Sequence, residues 1–442
     1  MRPPGRVAAA IEIIDDIRSR HRPAPIALAD WARAHRFAGA GDRAAIGTLV
    51  FDALRRMRSS MWIMEDETAR GAVVGMLAQM SGGDPDAVPA LFDGSPHAAD
   101  PLTSAEVSAL GRVAALGEAP AAVQGDVPDW AWPHFEQAFD DLALVEARAL
   151  AARAPVDLRA NTLKASQDKV VKSLSRVGAT ASPIAQHGVR LAPPPVLPLA
   201  AGGKQANVQN EAGFQKGWFE IQDEASQIAA ALVFAQPGEQ ILDLCAGGGG
   251  KTLALAAAMQ NRGQLFAYDN DRSRLAPIHQ RLKRAGVRNT QVRSPSGEGI
   301  AHDLADLVGR MDRVLIDAPC SGSGTWRRRP DAKWRASEAN LEARADAQRA
   351  LLDTARDYVR PGGYLCYVTC SLFAVENEMP VHDFIRRHPD FELVSAEEAW
   401  RELYGVETVS PWSDDLASLR LTPAATQTDG FYFAVLERRL EG

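Results

Sequence analysis

Two cysteines stand in short polar blocks that each follow an apolar run: Asp317-Ala318-Pro319-Cys320-Ser321-Gly322-Ser323-Gly324 and Val368-Thr369-Cys370-Ser371. The runs before them, Arg313 to Ile316 and Gly363 to Thr369, read as strands, so each thiol falls at a strand end. If those strands are neighbours, their axes lie about 4.8 Å apart and both thiols face one pocket. A thiol placed there can act as a nucleophile that later leaves. Taken singly, a buried cysteine is a small hydrophobe, and that is the reading for Cys366 inside its strand. Metal binding is disfavoured, because Cys366 and Cys370 have no second Cys or His pair at ligand spacing.

A second constellation lies upstream. Asp243-Leu244-Cys245-Ala246-Gly247-Gly248-Gly249-Gly250-Lys251-Thr252 closes another strand-like run. Its four glycines let the backbone approach a ligand and present amide groups at a helix start, which suits a nucleotide or a carboxylate. A phosphate-binding P-loop needs a glycine six residues before the lysine, and that position is Cys245. Further on, Tyr268-Asp269 ends the next strand-like run, where a carboxylate can accept both hydroxyls of a ribose. A nucleoside cofactor is the expectation, against a purely structural turn.

Positioning such residues requires an open parallel sheet, whose ligands collect at the carboxyl ends of its strands. Strands near Gln240 to Leu244, Gln264 to Tyr268, Thr290 to Arg293, Arg313 to Ile316 and Gly363 to Thr369 alternate with helical stretches, which predicts an α/β fold covered on both faces. Before it, residues 1–128 read as all-helical: Val7, Ile11, Ile14 and Ile17 recur at helix spacing, as do Ile46, Leu49, Val50, Leu54 and Met57. Thr103 and Glu106 form a capping-box pattern. Residues 129–216 read as a small α+β connector, opening with a long helical pattern from Trp130 to about Ala154, and residues 217–442 as the α/β unit.

The 442 residues, 46% hydrophobic and 24% charged, predict a folded chain of about three units at roughly 150 residues each. No apolar run approaches the ~20 residues of a membrane span, and Glu12, Asp15 and Asp16 interrupt what would be a signal peptide's apolar stretch. A cytoplasmic location with reduced thiols is the expectation. The net charge of −7 argues mildly against a nucleic-acid partner, but Met1 to Arg58 holds 11 Arg against 6 acids, and Asp271 to Arg293 holds 7 Lys and Arg against 1.

The glycine block, the Asp-Ala-Pro-Cys block and Val-Thr-Cys-Ser-Leu with Glu376-Asn377-Glu378 resemble the signature blocks of the Sun/RsmB/NOL family of RNA 5-cytosine methyltransferases. The resemblance extends upstream through Leu158-Arg159-Ala160-Asn161-Thr162-Leu163-Lys164 and Ile221-Gln222-Asp223-Glu224-Ala225-Ser226, and downstream to Thr428-Asp429-Gly430-Phe431-Tyr432-Phe433. The helical front, with Asp42-Arg43-Ala44-Ala45-Ile46, is similar to the NusB-like RNA-binding domain of the bacterial ribosomal-RNA branch. The resemblance implies a Rossmann-like methyltransferase domain. Its cofactor would be S-adenosylmethionine, met by residues 245–251, Asp269, Arg274, Ser296 and Asp317. It implies Cys370 as the nucleophile on C6 of cytosine, Cys320 as the thiol that helps release the adduct, and Asp317 and Lys251 on the polar edge of the base. RNA is the implied partner, 16S rRNA before tRNA, and a monomer is expected. Arg159, Asn161, Arg327, Arg328, Arg329 and Lys333 are the candidate phosphate contacts.

Two departures stand out. The family pattern Ala-Pro-Gly-Gly-Lys is here Gly247-Gly248-Gly249-Gly250-Lys251, so a rigidifying proline is missing at position 248. The acid that follows the family's third strand is missing from Arg293-Ser294-Pro295-Ser296-Gly297, where Ser296 is the substitute and weaker cofactor affinity the expectation. A DNA cytosine methyltransferase uses the cysteine of its Pro-Cys block and needs no second one. A ribosome-assembly factor that had lost catalysis would be expected to lack a cysteine or Lys251.

Overall fold

Helical apolar stripes build one compact unit and an alternating strand and helix pattern builds another. The computed structural model describes residues 1–81, 86–193, 207–405, 411, 413 and 415–440. The first unit takes Met1–Ala154 together with Trp326–Glu338, and the second takes Pro155–Ala192, Asn207–Thr325 and Ala339–Gly442.

In the first unit, helices α1 (Pro3–Ser19), α2 (Ala24–Ala34), α3 (Ala40–Arg55), α4 (Met57–Met64) and α5 (Ala69–Met80) bury the expected stripes. Val7, Ile14, Ile17, Leu49, Val50 and Leu54 share one core, with Ile11 packed at its margin. Thr103 and Glu106 cap each other's backbone, at 3.2 Å to the Thr103 hydroxyl and 2.7 Å to the Glu106 carboxylate. The long helix expected from Trp130 is broken: Trp132–Phe139 ends at Asp140, whose φ of 44° and ψ of −122° cannot continue a helix, and Ala143–Leu150 follows.

These helices, and residues 326–338 from within the catalytic sequence, belong to the first unit, while the connector's strands belong to the second. The boundaries expected at 128 and 216 therefore do not coincide with the two units. Hydrogen bonding accounts for the excursion: Lys333 Nζ donates to the carbonyls of Arg55 (2.9 Å) and Asp126 (2.6 Å), and Trp334 Nε1 donates to that of Leu54 (2.7 Å).

The second unit holds two sheets. Strands β1 (Val156–Ala160), β2 (Thr180–Ala181), β3 (Gly188–Leu191) and β4 (Phe219–Ile221) form a small antiparallel sheet in the order β2-β3-β1-β4. The larger sheet is built from β5 (Gln240–Asp243), β6 (Gln264–Tyr268), β7 (Thr290–Arg293), β8 (Met311–Asp317), β9 (Val359–Thr369), β10 (Phe391–Val394), β11 (Leu419–Leu421) and β12 (Phe431–Arg438). Its order is β10-β12-β9-β8-β5-β6-β7, with β11 beside β12; β5 to β9 run parallel and β12 is antiparallel to β9.

Successive residues along each strand feed opposite cores, as the two-residue period requires. Leu242, Val314, Ile316, Leu365 and Tyr367 pack on one face against Leu352 and Phe384; Ile241, Leu315, Cys366 and Val368 pack on the other against Ile228 and Leu255. Cys366 is thus a core residue whose thiol is pushed up to about 12 by burial.

The order reverses between β5 and β8, which opens the crevice where this class of sheet holds ligands. Three chain segments are laced together beside it. Gly324 N–H donates to the Cys370 carbonyl (3.0 Å), and Gly430 N–H to the Gly324 carbonyl (2.8 Å). A Cβ on Gly324 would stand 2.2 Å from the Gly430 carbonyl oxygen, and one on Gly430 would stand 2.5 Å from Gly324 Cα. Gly324→Ala is therefore expected to destabilise the second unit by about 1–3 kcal/mol through overpacking. Scanning calorimetry checks this, and an unchanged transition would show that the contact is not needed.

Candidate active site

The β8–β9 register pairs Asp317 with Val368, and the Ala318 N–H extends the ladder to the Val368 carbonyl at 2.8 Å. Cys320 and Cys370 leave these adjacent tips three and two residues later, and their sulfurs stand 3.3 Å apart. Contact with Cys370, followed by burial, pushes the Cys320 thiol well above its ordinary range.

A polar frame behind the pair fixes both turns. Glu376, fully buried, accepts from Ser321 N–H (2.7 Å), Ser321 Oγ (2.5 Å) and Gln348 Nε2 (3.1 Å), while Gln348 also donates to the Pro319 carbonyl (3.0 Å). On the other side Thr369 Oγ1 donates to Asn377 Oδ1 (2.6 Å), and Asn377 Nδ2 donates to the Ser371 carbonyl (3.1 Å). The family resemblance names Glu376 and Asn377 without a role; the signal in the sequence is two polar residues directly after the apolar run Leu372-Phe373-Ala374-Val375.

The glycine-rich loop leaves β5 toward the helix Gly250–Ala258. Asp243, buried and accepting from Thr252 Oγ1 at 2.6 Å, has its carboxyl pushed up to about 7 by burial. Cys245 is half-buried and its thiol is raised by burial and by the Asp243 carboxylate. Ala246 N–H donates to the Tyr268 carbonyl and Gly249 N–H to the Ala246 carbonyl, both at 2.8 Å. Asp269 Oδ2 accepts from Gly247 N–H and Oδ1 from Asp271 N–H, both at 2.9 Å, which leaves each oxygen one further lone pair. Gly247 has φ 49°, and a Cβ there would project to 3.8 Å from both Arg274 Nη2 and Asp269 Oδ2, the space a ligand needs. The fold thus brings Gly247, Asp269 and Arg274, three of the expected cofactor contacts, together.

Lys251 is 5% exposed, and its ammonium lies 2.7 Å from Asp317 Oδ2 and 5.1 Å from the centre of the Phe431 ring. Burying that charge requires such a partner. Asp317, with a side chain 35% exposed, keeps an edge toward the crevice.

Ser296 is exposed, and its hydroxyl accepts from Glu298 N–H at 3.1 Å. Its own N–H meets the Asp303 carboxylate at 3.1 and 3.2 Å, and Tyr268 Oη donates to the same group at 2.9 Å. A carboxylate therefore does stand after β7, supplied by Asp303 seven residues beyond Ser296, a distance at which no local spacing rule would look for it.

The expected phosphate contacts fare differently. Asn161 is buried, with Nδ2 donating to the carbonyls of Gly217 (2.9 Å) and Ala285 (2.8 Å). Arg159 is buried, donates to Gln222 Oε1 at 2.7 Å and is pushed down to about 10 by burial. Lys333 is 2% exposed and pushed down to about 8 by the same cause, and Arg327 is buried with its carbonyl bound by Arg55 Nε at 3.0 Å. All four side chains are buried; those of Asn161 and Lys333 bind backbone carbonyls and that of Arg159 binds Gln222. Arg328 is half-buried and Arg329 exposed.

Residues 230–437 match the family model described as 16S rRNA methyltransferase RsmB/F. The chain is 33% identical over 318 residues to the probable ribosomal RNA small subunit methyltransferase B of Synechocystis, covering 71% of this chain and 67% of that relative. It is 34% identical over 313 residues to the ribosomal RNA small subunit methyltransferase B of Cronobacter sakazakii, covering 70% and 64%. The aligned stretch thus spans about two thirds of these relatives. The crystal structure of PH0851 matches with a TM-score of 0.73 at 24% identity over 99% of each chain, which shows the fold. A methyltransferase homolog from Pyrococcus horikoshii matches at 0.58 with 26% identity, over 72% of this chain and 97% of that one. With its own strand-tip thiols already in view, this chain belongs to the RsmB/F family of 16S rRNA methyltransferases.

Proposed function

We propose that the chain transfers a methyl group from S-adenosylmethionine to C5 of a cytosine in small-subunit ribosomal RNA, with Cys370 as the nucleophile. The observation that carries this reading is the 3.3 Å approach of two thiols beside the Lys251–Asp317 pair. The cradle at Gly247, between Asp269 and Arg274, fits the donor. When bound, S-adenosylmethionine supplies an electrophilic methyl group.

C5 of cytosine is a poor nucleophile until a group adds at C6. Cys370 makes that bond, and Asp317 and Lys251 hold the N3, N4 and O2 edge while charge develops there. Proton and thiol must then leave C5 and C6. Cys320 keeps its proton while it touches Cys370. Once the Cys370 sulfur is bonded to C6, the contact that most strongly holds that proton is gone; Cys320 gives it to water and, as the thiolate, takes the proton from C5. Elimination then returns Cys370 and the methylated base.

The target base must leave any helical stack to be reached by donor and thiol together. Arg328, half-buried, and Arg329, exposed, are the candidates for phosphate contacts. Both thiols must stay reduced, which supports a cytoplasmic setting.

Cys370→Ala is expected to lower methyl transfer to RNA from a strain lacking the gene by roughly three orders of magnitude or more. Labelled cofactor and bisulfite sequencing check it, and methylation that persists would remove Cys370 as nucleophile. Cys320→Ala should instead accumulate a nuclease-sensitive protein–RNA adduct on a denaturing gel. If none forms while methylation proceeds, Cys320 has no part in release.

A further inference from the structure

We infer that Arg281 is a positioning residue for the cofactor loop, doing by hydrogen bonding what a proline does in the family pattern. Four consecutive glycines have the greatest backbone freedom to lose, so a loop of this composition needs an external restraint to hold one conformation. The helix Ile278–Ala285 provides it from one face. Ile278 lies against the turn so closely that a Cβ on Gly249, where φ is 82°, would stand 2.5 Å from Ile278 Cγ1. One turn further on, Arg281 Nη1 donates to the Gly248 carbonyl at 2.6 Å.

The guanidinium is itself held. Its Nε and Nη2 donate to Glu220 Oε2 at 3.2 and 3.0 Å, and Glu220, buried in β4, also binds Arg284 Nη2 at 2.6 and 2.7 Å. Arg281 therefore reaches the loop with most of its rotamer freedom already lost, and the charge-assisted bond fixes the peptide plane that follows Gly248. That plane sets the direction of the Gly249 amide at the start of the helix that carries Lys251.

Position 248 is where the family pattern has its proline. Gly248 does not have a positive φ, and its N–H donates to no described group, so a proline there sacrifices no hydrogen bond. A Cβ at 248 would lie 3.3 Å from Arg281 Nη1, so the two restraints occupy the same side of the loop.

This inference rests on the reading of residues 245–251 as the S-adenosylmethionine loop, and a double-mutant cycle tests it on the full chain. By calorimetry with S-adenosylmethionine, Arg281→Ala is expected to weaken binding about 10-fold in the parent, since only a fraction of loops would be competent, and less than about 3-fold in a Gly248→Pro background. An equal loss in both backgrounds, or none in the parent, would overturn the proposal. Hydrogen exchange on the ligand-free protein is the arm that does not need the proline to be accepted. Arg281→Ala should speed exchange at amides 247–252 while leaving those of 224–232 unchanged, and unaltered exchange in the loop would equally overturn it. A parent chain that binds no S-adenosylmethionine would instead count against the cofactor assignment, with the exchange result still deciding the role of Arg281.

Discussion

The parallel pairing of β8 with β9 is the constraint on which the site depends. Two cysteines separated by fifty residues meet because the ladder brings Asp317 opposite Val368 and continues one bond further to Ala318. A shift of register by one residue would turn every side chain to the opposite face and separate the sulfurs. The close approach of Gly324 to Gly430, and the buried carboxylate of Glu376, hold the tips beyond the last ladder bond, where strand pairing alone no longer restrains them.

Electrostatics then links the thiols to the glycine-rich loop. Lys251 lies in the first turn of the helix Gly250–Ala258, an end whose dipole disfavours a cation. Asp317 offsets both this and the cost of burial, and in doing so ties the tip of β8 to the loop after β5 across the reversal of strand order. Asp317 at the tip of β8 and Lys251 in the first turn of that helix are thus one ion pair, with the Phe431 ring 5.1 Å from the ammonium.

The proline of the family's glycine block and the acid after its third strand are both missing here, and at each place a side chain from another element binds the backbone. Arg281 binds the Gly248 carbonyl, and Asp303 binds the Ser296 amide. Both side chains are anchored in turn, to Glu220 and to Tyr268. Side chains expected on an RNA-facing surface are buried instead: Lys333 and Asn161 donate to backbone carbonyls.

What the sequence determined by itself is local. Alternating apolar runs specified the strands near Gln240, Gln264, Thr290, Arg313 and Gly363, and strand ends marked where Cys320, Cys370, Asp269 and the glycine turn would lie, because a parallel sheet places its chemistry at carboxyl tips. Tertiary structure decided what spacing cannot encode. The passage of residues 326–338 into the first unit, the burial of Arg159, Asn161, Arg327 and Lys333, the bond of Arg281 to the glycine loop and that of Asp303 to Ser296 all depend on which elements pack together. Periodicity reports which face of an element is apolar, whereas the partner that a long polar side chain finds is settled only when the elements pack, since desolvation then makes each unpaired donor or charge costly.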